Sequence, residues 1–216
     1  MRTGRREVLA ILILAFGLLF TPRAGQTDTA GAFDYYVMAL SWSPNWCTLE
    51  GDRKRAPQCE MPVGWLLHGL WPQYEEGWPD YCPTSHAQPR RALTDGMADI
   101  MGSSGLAWHQ WKKHGTCSGL TAEDYFRLSR LAYDRVSRPA VFRKLDDAVR
   151  LPASVVEEAF LKDNPGLSPD MLTVTCRDGY VQEVRVCLTR GMEPRVCGRD
   201  ARRDCTLEDA LFTPLR

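Results

Sequence analysis

The 216-residue chain is predicted to form a single, disulfide-stabilised α+β domain, in which a central antiparallel sheet packs against several helices. Strand-forming segments lie near the start and the end of the chain and a helix-rich stretch lies between them. This order favours an α+β fold over a doubly wound parallel sheet. The chain also carries eight cysteines, and 44% of its residues are hydrophobic, which is enough for one substantial core.

The first 24 residues are predicted to be a signal peptide. Three arginines precede an apolar run of about 13 residues, Val8 to Phe20, which is too short to cross a bilayer as a stable helix. We place cleavage near Ala24. A twin-arginine signal at Arg5-Arg6 is the alternative to a general secretory signal. Residues 25–216 are then the exported domain, secreted or periplasmic and without stable membrane association.

The predicted strands are rich in β-branched and aromatic residues and stop at turn signals. The first of them ends before Pro44. The last two flank Asp178-Gly179, a strong hairpin signal, and alternate apolar with polar residues, so we expect them to be antiparallel. The four predicted strands are Phe33–Trp42, Gly64–His68, Met171–Cys176 and Val181–Cys187.

The stretch between the second and third strands is predicted to be helical. Thr121 is a candidate N-cap for the third helix, and Asn164-Pro165-Gly166 ends the last helix. The predicted helices cover Thr94–Met101, Leu106–His114, Thr121–Val136, Pro139–Val149 and Ala153–Asp163.

The charge balance argues against a nucleic-acid-packaging protein. The chain has 27 basic and 27 acidic residues, and the predicted leader holds four of the basic residues and one of the acidic ones. The exported part is therefore slightly acidic and lacks a broad basic surface. We expect any contact with RNA to be local and transient.

The cysteines indicate a disulfide framework. All of them lie outside the leader, and an even number in an exported chain favours paired cysteines. A zinc site is the weaker alternative, because the shortest spacing, from Cys197 to Cys205, is longer than the close pairs typical of zinc ligands. The eight positions are Cys47, Cys59, Cys82, Cys117, Cys176, Cys187, Cys197 and Cys205.

Three of the four histidines lie in two short motifs. His68 belongs to Leu-His-Gly-Leu-Trp-Pro, and the other two belong to Trp-His-Gln-Trp-Lys-Lys-His-Gly-Thr-Cys, residues 108–117. If the second motif is helical, Trp108 and Trp111 share one side and are expected to anchor the helix in the core. The opposite side then carries His109, Gln110, Lys113 and His114.

Two histidines and a lysine on one surface suit the cleavage of RNA. A neutral imidazole removes the proton of the 2′-hydroxyl, and a protonated imidazole delivers a proton to the leaving 5′-oxygen. A nearby cation stabilises the charge that gathers on the non-bridging oxygens. Because this chemistry needs the 2′-hydroxyl, DNA is not an expected substrate.

The two motifs, with Ser-Trp-Ser-Pro before Cys47, resemble the active-site signatures of the ribonuclease T2 family of transferase-type acid ribonucleases. The resemblance covers most of the exported chain. It implies an endoribonuclease that cleaves single-stranded RNA with little base specificity through a 2′,3′-cyclic phosphate. We expect no metal and no other cofactor, and a monomer.

The resemblance also assigns roles. His114 would be the general base, His68 the general acid, Lys113 the stabiliser of the transition state, and His109 a phosphate ligand. The family commonly has a glutamate where this chain has Gln110, so its pH optimum is expected to differ.

A base-binding pocket and the disulfide pairing are implied in the same way. The pocket would follow the first motif, and Gln73 stands in it where some relatives use an acidic residue that reads the base. Its five residues would be Trp71, Gln73, Tyr74, Trp78 and Tyr81. The implied disulfides are Cys47–Cys59, Cys82–Cys117, Cys176–Cys205 and Cys187–Cys197.

Three other function classes are weighed against this interpretation. A cysteine hydrolase would use Cys117 as nucleophile near His114, but an oxidised cysteine has no free thiol. A catalytically inactive RNA-binding or partner-binding relative is expected to lose at least one of His68, Lys113 and His114. A metal nuclease would need a carboxylate cluster, and neither motif has one nearby.

Overall fold

The computed structural model of the protein describes residues 28–216, so the predicted leader lies outside the described residues. Within that range six strands form one sheet, and none of the helices is both long and apolar enough to cross a membrane. The strands are Tyr35–Trp42 (β1), Trp65–Gln73 (β2), Val149–Leu151 (β3), Leu172–Arg177 (β4), Tyr180–Leu188 (β5) and Ala210–Phe212 (β6). The α-helices are Ser43–Trp46 (α1), Asp52–Lys54 (α2), Arg91–Asp95 (α3), Ala98–Met101 (α4), Ser104–Lys113 (α5), Ala122–Arg135 (α6) and Ala153–Asp163 (α7).

Strand β5 lies at the centre of the sheet. It pairs antiparallel with β1 on one side and with β4 on the other, and β2 pairs antiparallel with β1. Strand β6 joins β5 through one parallel pair, Tyr180 with Leu211, and pairs antiparallel with β3. The predicted α+β fold is confirmed, and the parallel contact makes the sheet mixed where we expected only antiparallel pairs.

The hairpin between β4 and β5 forms as its sequence predicts. Asp178 has φ 51° and Gly179 has φ 83°, and two successive residues with positive φ are what a type I′ turn requires. Thr121 likewise caps α6, because its hydroxyl accepts a hydrogen bond from the backbone N–H of Asp124 at 3.1 Å.

Several predicted bounds are wrong. Residues 139–149 form no α-helix: a 3₁₀ segment covers Ala140–Lys144, and β3 begins at Val149. The apolar residues of this segment have helical spacing, but Phe142 is the one buried residue within 140–148, so the core offers no surface that would bury the apolar face of a helix here. The predicted helix Thr94–Met101 is divided between α3 and α4, and β2 continues five residues beyond His68.

The two faces of the sheet differ. Met38, Leu40 and Trp42 of β1 point into the main core, which also contains residues of α5, α6 and α7. The alternating residues of β1 point the other way, and Ser41 lies opposite Glu183 in the register with β5. Polar groups of β5 therefore lie on the sheet face away from the main core.

Four disulfides cross-link residues 28–216, and they join the same cysteines that the resemblance implies. The Cys82–Cys117 bond connects the segment after β2 to the turn after α5. Beside it, the backbone N–H of Tyr81 donates to the carbonyl oxygen of Lys113 at 2.8 Å. This bridge therefore fixes the end of α5 relative to β2.

Replacing both partners of this bridge, Cys82→Ala with Cys117→Ala, is expected to lower the free energy of unfolding by about 4 kcal/mol. The bond spans 35 residues, so its loss restores considerable entropy to the unfolded chain. Chemical denaturation measures the change. The pair Cys187→Ala with Cys197→Ala, which spans 10 residues, is the control and should cost less. An unaltered unfolding free energy for the first pair would contradict the prediction.

Candidate active site

A cavity of about 310 Å³ opens between β2, β5 and the end of α5. It brings together residues from both histidine motifs, which lie about 40 positions apart along the chain. All five of the predicted catalytic residues line it: His68, His109, Gln110, Lys113 and His114.

A β-bulge aims His68 into this cavity. In the register of β1 with β2, Ala39 lies opposite Gly69 and Leu40 lies opposite Leu67, so His68 is the extra residue. Side chains three apart on a regular strand point to opposite faces. Because of the bulge, the rings of His68 and Trp71 lie on the same side, with their centroids 5.3 Å apart.

The glycine of the first motif is required by close contact. A Cβ atom on Gly69 would lie 2.1 Å from Oε1 of Gln110 and 2.2 Å from Nε1 of Trp71. These two atoms form a hydrogen bond, in which the indole N–H donates to the amide oxygen at 2.7 Å. A residue with any side chain at position 69 would separate β2 from α5.

His114 lies at the C-terminal end of α5. Its backbone N–H donates to the carbonyl oxygen of Gln110 at 2.9 Å, and its side chain is buried. Gly115 follows because a Cβ there would lie 2.5 Å from the ring of Trp111. Helix α5 therefore ends where the packing against Trp111 and Tyr125 leaves no room for a side chain.

Burial keeps His114 neutral. Burial, together with the positive charges of Lys113, His68 and His109, lowers the pKa of His114 from 6.5 to about 3. Nδ1 of His114 is buried and has no hydrogen-bond partner within residues 28–216, so the protonated ring gains no compensating acceptor. Above about pH 4 this imidazole is a free base.

Trp71 separates the two histidines. Its indole is stacked on His114 with a centroid distance of 5.3 Å and an interplanar angle of 29°, and it meets His68 edge to face. The hydrogen bond to Gln110 holds the indole in place. The tryptophan of the first motif thus sets the spacing of the two imidazoles.

His68 has a buried carboxylate as its partner. Nδ1 of His68 is hydrogen-bonded to Glu183, which is 1% exposed. Arg185 donates to the other oxygen of Glu183 from Nε at 2.9 Å and from Nη2 at 2.7 Å. Burial by itself would raise the pKa of Glu183, but the contacts with His68 and Arg185 hold it at about 2.

Sequence reasoning missed Glu183 and Arg185. They lie two positions apart on β5 and share the sheet face that Ser41 also occupies. The available signal was a Glu-x-Arg pair within an otherwise apolar strand, because a charged pair on a buried strand needs a partner. That partner, His68, lies 115 positions away in the sequence.

Helix α5 presents its side chains differently from the predicted arrangement. Trp111 is buried in the core, as expected, but Trp108 is 41% exposed, so the prediction that both anchor the helix is wrong. Gln110 is buried instead of lying on an open surface, because its amide faces Trp71 and Gly69. His109 is exposed, and burial of part of its ring lowers its pKa, as do Lys113, His68 and Lys112.

Three of the five predicted base-binding residues line the cavity, and two do not. Trp71, Gln73 and Trp78 line the cavity, and Trp78 is 56% exposed. Tyr74 and Tyr81 do not line it: the hydroxyl of Tyr74 donates to Asp28, and Tyr81 is exposed next to the Cys82–Cys117 bridge. The remaining lining residues, which sequence reasoning did not find, are Val37, Arg185, Asp200 and Ala201.

The structure bears on two of the alternative function classes, the cysteine hydrolase and the metal nuclease. Cys117 is bonded to Cys82 and fully buried, so it offers no thiol nucleophile. Among the described residues, no group of three or more His, Cys, Asp or Glu side chains is arranged to hold a metal ion.

The fold and the cavity define a disulfide-bonded α+β protein with paired histidines on either side of a tryptophan. The family model of the Ribonuclease T2 family matches residues 33–197, so the chain belongs to this family. It is 39% identical over 125 residues to a ribonuclease of Aeromonas hydrophila, across 57% of this chain and 56% of that protein.

Other relatives agree with this assignment. The chain is 31% identical over 121 residues to a probable ribonuclease of Haemophilus influenzae, across 49% of this chain and 44% of that protein. The chain thus spans about half the length of these two relatives. A self-incompatibility-associated SF11-RNase of Nicotiana alata has the same fold, with a TM-score of 0.63 at 17% identity across 84% of this chain and 99% of that one.

The substitution Gly69→Ala is expected to destabilise the protein by about 1–3 kcal/mol, because the new methyl group would displace Gln110 and Trp71. RNA cleavage should fall as well, since the indole spaces the two histidines. The matched control is Gly105→Ala on α5, where a Cβ meets nothing within 4 Å. Thermal unfolding of both variants tests this; equal stability of the two would contradict the packing described for Gly69.

Proposed function

We propose that the protein is an exported endoribonuclease, which cleaves single-stranded RNA with little base specificity and without a metal. The 2′-hydroxyl attacks the adjacent phosphorus, the 5′-oxygen leaves, and a 2′,3′-cyclic phosphate is formed. The supporting observation is that His68 and His114 line one cavity in opposite environments: one imidazole is buried and neutral, and the other is held by a carboxylate.

His114 is the general base in this proposal. A base must be neutral before it accepts the 2′-hydroxyl proton, and the lowered pKa of His114 leaves it neutral even in mildly acidic solution. The neighbouring charge of Lys113 contributes to that lowering. The same ammonium group lines the cavity and is placed to stabilise the negative charge that develops on the phosphorane oxygens.

His68 is the general acid. Its Nδ1 faces Glu183, so Nε2 is the nitrogen left to protonate the leaving 5′-oxygen. The hydrogen bond that one ring nitrogen makes to a carboxylate sets which of the two nitrogens exchanges the proton. His109, which is exposed at the cavity, is the proposed phosphate ligand.

The base-binding part of the cavity supports weak sequence preference. Trp71 and Trp78 offer aromatic faces, and stacking on an aromatic face is possible for every base. Single strands are favoured, because their bases are free to leave a stack and enter the cavity. Gln73 is buried beside them and its amide N–H₂ donates to the carbonyl oxygen of Pro72 at 2.9 Å, which leaves its amide oxygen for a base donor.

Secretion or export to the periplasm agrees with the four disulfides and the predicted leader, because disulfides persist in oxidising compartments. We propose residues 1–24 as the leader and residues 25–216 as the ribonuclease domain, acting as a monomer.

The proposal is tested by incubating the purified protein with RNA and with DNA in EDTA from pH 4 to pH 8. We expect RNA cleavage with 2′,3′-cyclic phosphate ends and intact DNA. On the acidic side of the profile, activity falls only as the pH drops through the pKa of His114, about 3, because the base then becomes protonated. Cleavage should therefore persist at pH 4.

The variants His68→Ala and His114→Ala should each lose about 10²–10⁴-fold in kcat. The control is His86→Ala, because His86 lies outside both motifs and outside this cavity. Cleavage of DNA, ends without a cyclic phosphate, or loss of activity in EDTA would overturn the proposed function.

A further inference from the structure

We propose that Glu183 is the positioning residue of the general acid, and that Arg185 in turn holds Glu183. The inference rests on the proposed function, because it assigns the pair a role in the proton transfer from His68. It is carried by the juxtaposition of three side chains from two strands: the imidazole of β2, the buried carboxylate of β5 and the guanidinium two residues further along β5.

The contacts of Glu183 leave it no freedom to turn. One carboxylate oxygen is shared by Nδ1 of His68 and by the hydroxyl of Ser41, which donates at 3.5 Å. The other oxygen accepts two hydrogen bonds from Arg185, in the side-on geometry of a guanidinium with a carboxylate. Every acceptor direction of this buried group is therefore directed at a named partner.

The contact selects one tautomer of His68. With Nδ1 directed at a carboxylate, Nδ1 carries the proton in both states of the ring, and Nε2 is the nitrogen that gains and loses it. Without the carboxylate, the ring is free to rotate or to place its proton on the wrong nitrogen. The carboxylate thus fixes which nitrogen addresses the leaving oxygen.

Titratable and charged groups surround His68 from several elements. His109, Lys113 and His114 line the cavity from α5, and Asp200 lines it from the segment after β5. From β5, Glu183 contributes the negative charge that contacts the ring, and Arg185 offsets part of it.

On the far side of His68 lies a second cavity, which Glu50 and Lys54 line, and these two side chains pair with each other. Among residues 28–216, Glu183 is therefore the carboxylate in direct contact with His68.

The contact between Glu183 and His68 also bears on Gln110, which stands in the second motif where the family commonly has a glutamate. The amide oxygen of Gln110 is occupied by the indole N–H of Trp71, so the residue serves packing and carries no charge. Among residues 28–216, the carboxylate that contacts a histidine of the cavity is Glu183 on β5. The carboxylate that contacts a histidine thus comes from the sheet, whereas Asp200, which also lines the cavity, accepts a hydrogen bond from the backbone N–H of Gly77 at 2.6 Å.

The variant Glu183→Gln separates a role in proton donation from a role in folding. On a dinucleoside phosphate, whose alkoxide leaving group needs a proton, kcat should fall by about 10²-fold. On the ribonucleoside 3′-(4-nitrophenyl phosphate) with the same base, the nitrophenolate leaves without a proton, so the rate should stay within about threefold of the unaltered enzyme. The basic limb of the pH–rate profile should move to lower pH, because an imidazolium without its counter-ion loses its proton more readily.

Two further variants keep the test decisive. Glu183→Asp retains the charge but withdraws it from His68, and should show the same dependence on the leaving group with a smaller loss, even if the glutamine variant does not fold. Glu157→Gln on α7 is the matched control for removing a carboxylate away from the cavity, and should leave both substrates unaffected.

Equal losses on both substrates, with an unmoved pH profile, would overturn the role of Glu183 while leaving the proposed function intact. Failure of the unaltered enzyme to form cyclic phosphate from the dinucleoside phosphate would instead refute the proposed function itself.

Discussion

Two imidazoles on either side of one indole ring lie in opposite electrostatic environments, and the arrangement of the site depends on that contrast. His114 is buried with one ring nitrogen unpartnered within residues 28–216, so charge on it is penalised and its pKa falls to about 3. His68 lies on the other side of the Trp71 indole, and its Nδ1 is hydrogen-bonded to the carboxylate of Glu183. Burial and one ion pair therefore distinguish the proposed general base from the proposed general acid without any difference in side-chain chemistry.

The backbone makes this contrast possible. A single extra residue in β2 places His68 on the same side of the sheet as Trp71, and the absence of a side chain at Gly69 lets α5 approach β2 closely enough for Trp71 to reach Gln110. The Cys82–Cys117 bond then fixes the end of that helix. The spacing of groups within the two motifs of this chain is thus a consequence of packing as much as of chemistry.

Local signals predicted a large part of the structure. The Asp-Gly turn and the cap at Thr121 depend on residues close in sequence. The two histidine motifs lie about 40 positions apart, and their convergence was expected from the family resemblance. The bulge at His68 depends on pairing with β1, and the contact with Glu183 joins residues 115 positions apart, so neither has a local signature. Strands β3 and β6 have three residues each, too few to show an alternating pattern. The exposure of Trp108 is likewise set by what packs against α5.

The most direct measurement of the central claim is the titration of the histidine ring nitrogens by NMR between pH 3 and pH 8. We expect His114 to stay neutral down to about pH 4, because its pKa is lowered to about 3, while the proton of a neutral His68 ring stays on Nδ1, the nitrogen that faces Glu183. If both rings titrated together near the ordinary histidine value of about 6.5, the two environments would be equivalent and the assignment of base and acid would be contradicted.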